Sequence, residues 1–341
     1  DFDVVTIKDV PGYATLVQKN TLESLDDYIT DAGINLADFN GITDQVTVDG
    51  SLYELPFRSD YWLIYYNKDV FDAAGIAYPS NDMTMEDYDA LARQLTDTTY
   101  GSQVYGCHYH TWRSAVELFG ILDGKHSILD GNYDWMIPYY DMILSEEDDG
   151  VCQTYTDLST EGLHYSAAFS NGNVAMMNMG SWFISTLISN LDSGEYDSSL
   201  CGNWGIASYP HPDGAEAGST IATITGLAVT SASANKDAAF DFVNWVSGTE
   251  GAKVMASTGN FPAIMTDDVI NTIAGMAGFP TDEGSKEALN ITNAYLEVPY
   301  AENVSEINSI LDTYHTSIMN REVTVEEGVA SMNEQVGKIL N

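Results

Sequence analysis

One stretch constrains the fold more than any other: residues 61–76, which read YWLIYYNKDVFDAAGI. Its first six residues form a continuous apolar and aromatic run, which is typical of a buried β-strand. The run leads into a short helical pattern that ends at Gly75, a residue type that commonly ends helices. A second helical pattern, TMEDYDALARQL, begins behind Thr84, which is a good helix N-cap. Strands that alternate with helices in this way predict an α/β fold built in layers.

Other segments add to this pattern. The run FDVVTI predicts a first strand, and Asp49-Gly50 between two apolar stretches predicts a hairpin turn. The segment 235–248 predicts the clearest helix, which ends at Gly248. Helical spacing places its apolar side chains on a common face, and these are Ala238, Phe242, Trp245 and Val246. The tail from residue 287 to 340 predicts two or three amphipathic helices.

Length and charge limit the possible functions. A chain of 341 residues exceeds what one hydrophobic core usually supports, so two domains are expected. The chain has 51 acidic and 12 basic residues and a formal net charge of −39. Such a field repels phosphate backbones and anionic lipid headgroups, which disfavours nucleic-acid binding and electrostatic attachment to membranes.

The three cysteines, Cys107, Cys152 and Cys201, are far apart in the sequence and form no CxxC pair. In an extracellular protein two of them could form a disulfide and leave one thiol free. All three could equally be small buried apolar residues. The sequence leaves these alternatives open.

Signals for metals and cofactors are weak. Residues 130–141 have acidic side chains at offsets like those of a calcium loop, but Trp135 replaces the required glycine and Asp141 the final glutamate. His108 and His110 form an H-x-H pair without a defined third ligand. The sequence has no G-x-S-x-G, P-loop or G-x-G-x-x-G motif, so we expect no cofactor and no bound metal.

Six segments, taken in order, resemble the extracellular solute-binding proteins that feed sugar ABC importers, the family that includes maltose-binding protein. They cover nearly the whole chain and read DVV near the start, SLYELPF...LIYYNKDVFDAAGI, NGNVAMMNMGSWFI, NWGIASYPHPDG, TGLAVTSASANKDAAFDFVNWVSGTEG and GNFPA. The resemblance implies the two-lobe periplasmic-binding-protein fold of the class II type. It also implies a ligand cleft between lobes that close by rotation about a hinge.

The resemblance further implies how the chain divides. The N-terminal lobe is expected to comprise residues 1–107 and about 226–264, and the C-terminal lobe residues 108–225 and about 265–341. Crossings between them are expected near GCHYH, near ATITG and after Pro262. The family's opening β-α-β segment of roughly 70 residues, an ordinary fraction of a domain, is expected to be absent here.

A sugar-binding cleft needs flat aromatic surfaces for the ring face and planar polar side chains for the hydroxyls. Trp182 follows Gly180 and Ser181, and in the resembling family the aromatic residue after this turn stacks on the sugar. The alternative is that Trp182 only fills the core beside the preceding methionines.

The resemblance also places Asp60 and Trp62 at the cleft, where a carboxylate can accept hydrogen bonds from neighbouring hydroxyls. Arg58 is expected either to orient Asp60 or to bind a ligand oxygen, with an ordinary surface ion pair as the alternative. Tyr13 and Asp9 lie in the loop after the first strand, which the family pattern places at the rim of the cleft.

Three further candidates, Tyr109, His110 and Trp112, fall at the first expected crossing, from which side chains can reach a ligand. His110 could instead be a structural hydrogen-bonding residue. Phe261 lies in GNFPA, a segment that often closes the site in the resembling family. Trp204 is assigned to the core.

These observations predict a binding protein and not an enzyme. We expect it to capture a mono- or oligosaccharide outside a bacterial cell and deliver it to the permease of an ABC transporter. It would act as a monomer, either free in the periplasm or held at the cell surface by a lipid anchor. The alternatives are a non-sugar solute such as a polyamine, or a glycoside hydrolase, which would need two suitably spaced carboxyl groups.

Overall fold

The computed structural model of this chain describes residues 2–97 and 103–340. Within these ranges the strands are β1 Val4–Ile7, β2 Leu55–Asn67, β3 Tyr105–His108, β4 Val174–Gly180, β5 Trp204–Ser208, β6 Thr220–Val229 and β7 Ala294–Leu296. The α-helices are α1 Val10–Gln18, α2 Asp26–Ala32, α3 Lys68–Ala74, α4 Met85–Leu95, α5 Ser114–Ile121, α6 Ile137–Asp148, α7 Tyr155–Glu161, α8 Tyr165–Ser170, α9 Trp182–Ser193, α10 Ser198–Cys201, α11 Lys236–Ser247, α12 Thr249–Ala256, α13 Asp267–Ala274, α14 Glu283–Glu287, α15 Val304–Met319 and α16 Val325–Leu340. Short 3₁₀ helices cover Leu36–Phe39, Thr43–Val46 and Asp134–Met136.

The long strand β2 lies at the centre of the sheet and has two sets of partners. Residues 55–61 pair with β6, which carries β1 on its other side. Residues 62–67 pair with β4 on one side and β5 on the other. The strands β7 and β3 add in parallel to β6 and β4. One strand therefore joins two groups of strands, with β1, β6 and β7 in the first group and β3, β4 and β5 in the second.

The three segments that were expected to cross between the lobes lie at different places in this sheet. The GCHYH segment begins in β3, which pairs with β4 and so belongs to the second group. The ATITG segment lies in β6, which pairs with β7 up to Ala222 and with β2 beyond it. Pro262 forms an isolated bridge with Arg58 of β2. The lobe boundaries expected from the sequence remain predictions.

Several helix ends follow the sequence signals. Thr84 caps α4 through a capping box, in which its hydroxyl oxygen accepts from the Asp87 N–H while the Asp87 carboxylate accepts from the Thr84 N–H. Gly75 ends α3 with φ at +68°, a conformation that glycine adopts without strain. Asn67, at the end of β2, caps the same helix at its start. The strand-to-helix transition predicted at residues 61–76 is confirmed.

Helix α11 occupies the predicted segment but buries a different face. Its buried side chains include Ala239, Phe240 and Val243, whereas Phe242 and Trp245 are 53% and 54% exposed. The helix carries apolar residues on two faces, and Phe240 stacks on Tyr28 of α2 with ring centroids 4.9 Å apart. Ala238, Phe242, Trp245 and Val246 share a face, as the helical spacing predicted, but packing against α2 and the sheet buries the other face.

The core is formed where helices cover both groups of strands. It includes nearly all of β2 and β4, and Trp204 is buried as predicted. All three cysteines are buried with free thiols. Among the described residues, no helix combines the length and apolar character that a membrane span requires.

Candidate functional site

Three candidate residues share one face of β2, at the point where the strand changes partners. Side chains two apart in a strand point to the same side, so Arg58, Asp60 and Trp62 align. Asp60 lies opposite Thr223 of β6, and Trp62 lies opposite Gly180 of β4. The two groups of strands therefore meet between a buried carboxylate and a buried indole.

Asp60 forms the polar centre of this face. The Arg58 guanidinium lies 2.6 Å from its Oδ2, and the Ser181 hydroxyl donates to Oδ1 at 2.9 Å. Burial raises the pKa of Asp60, and the Arg58 charge and the Ser181 hydrogen bond oppose that rise. Arg58 thus forms an ion pair with Asp60, and the expected role in orienting that carboxylate or binding a ligand oxygen stays a prediction.

Gly180 makes room for Trp182. A β-carbon built on Gly180 would lie 2.0 Å from Cζ3 of the Trp182 indole, well inside van der Waals contact. Ser181, the next residue, is held to β2 in both directions: its N–H donates to the Tyr61 carbonyl at 2.8 Å, and its hydroxyl accepts from the Tyr61 N–H at 3.2 Å. The Gly-Ser turn therefore fixes the position of the indole at the start of α9.

Trp62, Trp112 and Trp182 form a tryptophan cluster. The ring centroid of Trp62 lies 5.4 Å from that of Trp182 and 6.4 Å from that of Trp112, both with edge-to-face geometry. The Trp182 Nε1–H donates to the Tyr165 hydroxyl at 3.1 Å. Trp62 is buried and Trp182 half-buried, but Trp112 is 40% exposed. The cluster thus ends in one solvent-accessible indole.

A cavity of about 400 Å³ lies beside this exposed indole. Its walls come from the segment after β1, the segment after β3, the middle of β6, the end of β7 and helix α15. The lining residues that carry polar groups or aromatic rings are Lys8, Asp9, Thr111, Trp112, Arg113, Ser114, Glu117, Thr223, Glu297, Asn308, Asp312, His315 and Thr316. Both groups of strands therefore contribute residues to the cavity.

Arg113 is buried in the cavity wall, and its guanidinium is fully engaged. It donates to Glu117 at 2.5 Å, to the Asn308 side chain at 2.6 Å and to the Asn308 carbonyl at 3.1 Å. It also forms an ion pair with Asp312. Although burial opposes the charged form, Glu117 and Asp312 raise the pKa of Arg113. Arg113 therefore joins α5 to α15.

Glu297 places in the cavity wall a carboxyl group that is a weaker acid than usual. It is half-buried and accepts a hydrogen bond from the Ser114 hydroxyl. Burial, helped by the nearby Glu117 charge, raises the pKa of Glu297 to about 7. Near neutral pH this group can both donate and accept hydrogen bonds, which suits a partner that carries hydroxyls.

The structure brings some candidate residues to the cavity and not others. Asp9, the N-cap of α1, lines the cavity together with Trp112. Tyr13 and Phe261 are fully buried: the Tyr13 hydroxyl accepts from the Tyr53 N–H at 3.2 Å, and the Phe261 ring meets Tyr61 edge-on. In this structure both are core residues, because their rings fill the packing around the first group of strands.

The remaining candidates lie behind the cavity. Tyr109 is 6% exposed and packs edge-on against Tyr88 and Phe119. The His110 ring contacts Trp112 with a centroid distance of 4.6 Å, and burial lowers the pKa of His110 to about 4. His110 is therefore a neutral ring that supports the tryptophan cluster from behind. Trp62 and Trp182 contact Trp112, and neither they nor Asp60 line the cavity.

Sequence reasoning missed several cavity residues. Arg113 directly follows the candidate Trp112, and its rarity in so acidic a chain was a signal that could have identified it. Glu297 and Asp312 carried no local signal, since they come from the C-terminal part of the chain and meet Ser114 and Arg113 only in the folded structure.

The groups weighed as metal ligands have other partners. In the calcium-like segment, Asp130 accepts from the Ser127 N–H and Asn132 from the Asp134 N–H. His108 interacts with Gln153 and burial lowers its pKa to about 4. Within residues 2–97 and 103–340, one cluster has atoms close enough to hold a metal ion, and it consists of Cys107, Glu146 and Cys152.

Comparison with known proteins gives a consistent result. A family model described as bacterial extracellular solute-binding protein matches residues 1–253. A search of curated proteins finds no match. Among solved structures, a sugar transporter from Rhizobium etli in an open conformation is 47% identical, with a TM-score of 0.92 over 99% of this chain and 85% of that chain.

Two more distant structures share the fold. A substrate-binding protein from Listeria monocytogenes, solved with cycloalternan, is 22% identical, with a TM-score of 0.79 over 99% of this chain and 84% of that one. Maltose-bound MalE3 from T. maritima is 19% identical, with a TM-score of 0.76 over 99% of this chain and 85% of that one.

Proposed function

Because the chain belongs to the bacterial extracellular solute-binding protein family and has its two-lobe α/β fold, we propose that it is the sugar receptor of an ABC importer. It captures a mono- or oligosaccharide outside the cell and delivers it to the permease. The 47% identity to a sugar transporter supports a carbohydrate ligand. The observation that carries the proposal is the cavity itself, which places an exposed indole next to carboxyl and hydroxyl groups.

The cavity wall suits the chemistry of a sugar. The 40% exposed face of Trp112 offers a flat apolar surface for the C–H groups of a pyranose ring. Asp9, Glu297 and Thr223 surround it with acceptors and donors for hydroxyl groups. Trp62 and Trp182 act through Trp112, because an edge-to-face contact from Trp62 and a tilted contact from Trp182 fix the plane of its ring.

Closure around the ligand involves β2. The change of partners at residues 61–62 supports a lobe crossing inside this strand, N-terminal to the boundary expected at residue 107. Asp9 approaches the cavity from the first group of strands and Trp112 from the second. A ligand that contacts both sides is bound more tightly when the sides approach, so it shifts the population towards the closed state.

Family membership also supports a proposal for the oligomeric state, the location and the partner of the protein. The receptor works as a monomer, free in the periplasm or held at the cell surface by a lipid anchor, and releases its ligand unchanged to the permease. It performs no chemistry on the sugar. Net charge disfavours nucleic acid as a partner.

A polyamine is the second candidate ligand. The cavity wall contains Asp9, Glu117, Glu297 and Asp312, but Arg113 already neutralises two of these carboxylates. The remaining acidic groups could hold an amine beside the Trp112 face.

The test is a thermal-unfolding screen with mono- and oligosaccharides, a polyamine and Ca²⁺. A ligand at a hundredfold excess over its Kd stabilises the native state by about 2.7 kcal/mol. We expect stabilisation by one sugar series, with the ligand recovered intact by mass spectrometry. The variant Trp112→Ala should abolish that stabilisation and Trp182→Ala should weaken it.

Trp245→Ala is the matched control, because Trp245 is exposed on α11 and lies outside the cavity wall. It should retain the full response. Stabilisation by the polyamine alone would indicate that the ligand is a polyamine and not a sugar. An equal loss in all three tryptophan variants would contradict the cavity as the binding site.

A further inference from the structure

The segment after α6 runs beside the edge strand β3. The Cys107 N–H donates to the Val151 carbonyl at 3.4 Å, and His108 interacts with the Gln153 side chain at 3.2 Å. Backbone contact on one side and a side-chain contact on the other hold the two segments in a fixed register. This register places Cys152 next to Cys107.

The two sulfur atoms are close together in the protein interior. The Sγ atoms of Cys107 and Cys152 lie within 4.8 Å of each other, and a carboxylate oxygen of Glu146 lies within the same distance of both. Cys107 is completely buried and Cys152 is 2% exposed. Cys201 lies elsewhere, on α10, with its Sγ 3.7 Å from the Asp197 carbonyl. Of the three cysteines, one pair is therefore positioned to react.

We propose that Cys107 and Cys152 are joined by a disulfide in the exported protein, and that Cys201 remains a free thiol. The family is extracellular, and disulfides form and persist outside the cytoplasm. A disulfide requires an S–S distance of about 2.05 Å, so the two sulfurs, which lie within 4.8 Å of each other, have to move closer for the bond to form. The bond would tie β3 to the segment that leads into α7 and close the loop that contains α5 and α6.

The reaction is a two-step exchange with a disulfide oxidant, such as a periplasmic dithiol oxidase or oxidised glutathione. The Cys152 thiolate attacks the oxidant, forms a mixed disulfide and displaces one thiolate. The Cys107 thiolate then attacks the Cys152 sulfur and displaces the second. The cysteines lose two electrons and two protons, and the oxidant is reduced to its two thiols.

Burial fixes when this exchange can occur. Burial raises the pKa of the Cys107 thiol well above its usual range, and the thiolate is the reactive form. In the folded protein both sulfurs are also out of reach of an oxidant. The exchange therefore belongs to folding, before the two sulfurs become buried, and the finished bond is shielded from reductants.

A zinc site is the competing explanation for this cluster. Zinc sites in proteins usually have four ligands, and the cluster offers two thiols and one carboxylate among the described residues. A disulfide uses only the two sulfurs and leaves Glu146 as a buried carboxyl group, whose pKa burial raises to about 8. In its neutral form this group carries no charge that a metal ion would have to balance.

The test counts thiols on protein exported to a bacterial periplasm and denatured in guanidinium chloride without a reductant. Labelling with a maleimide should add one group to the wild type, none to Cys201→Ser and two to Cys107→Ser. Prior reduction should raise the wild-type count to three. Mass spectrometry of a non-reduced digest should find one peptide pair that contains residues 107 and 152.

Three labelled thiols in the unreduced wild type would overturn the proposal, and metal analysis that finds bound zinc would then assign the cluster to the ion. The wild type and Cys201→Ser decide the question even if Cys107→Ser fails to fold. Reduction with a phosphine in the unfolded state, kept up during refolding, should lower the wild-type Tm by about 5–10 °C. It should leave the Tm of the Cys107→Ser/Cys152→Ser variant unchanged. None of these readouts depends on sugar binding.

Discussion

At the residue scale, the absence of a β-carbon at Gly180 leaves room for the large Trp182 side chain. Gly180 ends β4 opposite Trp62, and the Trp182 indole lies directly over its α-carbon. The sequence indicated the importance of the Gly-Ser-Trp turn but not its mechanism, since the contact is a matter of side-chain direction. Trp182 supports the exposed Trp112 instead of lining the cavity itself.

We expect Gly180→Ala to displace the Trp182 ring and to lower the free energy of unfolding by about 1–3 kcal/mol, the usual cost of overpacking. Ligand affinity should fall with it, because the cluster orients Trp112. Denaturant unfolding and calorimetric titration measure the two effects. Gly284→Ala is the control, since its β-carbon would meet only an ordinary contact at 3.5 Å. Equal stability of the two variants would contradict the steric account.

Glu297 gives the second prediction at this scale. Its folded-state pKa of about 7 is above the unfolded value of 4.5, so the folded state holds a proton that the unfolded state releases. Its contribution to stability therefore falls as the pH rises through this window. Glu297→Gln should be more stable than the wild type at pH 8, by on the order of 1–3 kcal/mol, and nearly equal to it at pH 4.5.

Thermal unfolding across this pH range measures the difference between the two proteins. Glu287→Gln, an exposed position on α14, serves as the control and should follow the wild type throughout. A Glu297→Gln profile parallel to that of the wild type would show that the carboxyl group does not titrate in this window.

At the scale of elements, local chemistry predicts where helices and turns occur but not which faces they bury. Thr84, Gly75 and Gly248 mark their helix ends as expected. Asp49 and Gly50 form the predicted turn with φ at +51° and +84°, but the flanking pairing is a single bridge. These signals depend on neighbouring residues, whereas the buried face of α11 depends on α2 and the sheet, which are distant in sequence.

Helix α11 allows a direct test. Val243→Ala should lower the free energy of unfolding by about 1–3 kcal/mol, because Val243 is completely buried. Phe242→Ala removes a larger side chain but should change it by less than about 0.5 kcal/mol, since that ring is 53% exposed. Denaturant unfolding of both variants checks the ranking. The reverse order would mean that the face with Phe242 and Trp245 is the buried one.

At the scale of the whole molecule, the net charge of −39 must be accommodated by one compact protein. Among the described residues, Arg93, Arg113 and Arg321 each form ion pairs with two carboxylates, but basic side chains are far too few to balance the acidic ones. Family, fold and most elements could be predicted from the sequence. The cavity could be predicted only in part, because Asp9, Trp112 and Glu297 come from three distant segments and the sheet alone brings them together.

Self-repulsion of this size should be visible in solution. Raising NaCl from 10 to 300 mM shortens the screening length from roughly 30 Å to less than 10 Å. We expect the Tm at pH 7.5 to rise by several degrees, with a smaller gain at pH 4.5, where many carboxylates are protonated. Differential scanning calorimetry provides the measurement. A Tm that falls with salt would mean that attractive pairs outweigh the repulsion.

The pairing of β1 with β6 has a consequence for biogenesis. Val4 lies opposite Val229, so the first strand leaves the ribosome long before the residues that complete its ladder. At a synthesis rate of ~5–20 residues per second, roughly 10–45 s separate the two. During that interval β1 has no β6 to pair with, and the first group of strands cannot form. Delayed pairing suits a secreted polypeptide, because a chain that is still unfolded can pass through a narrow translocation channel.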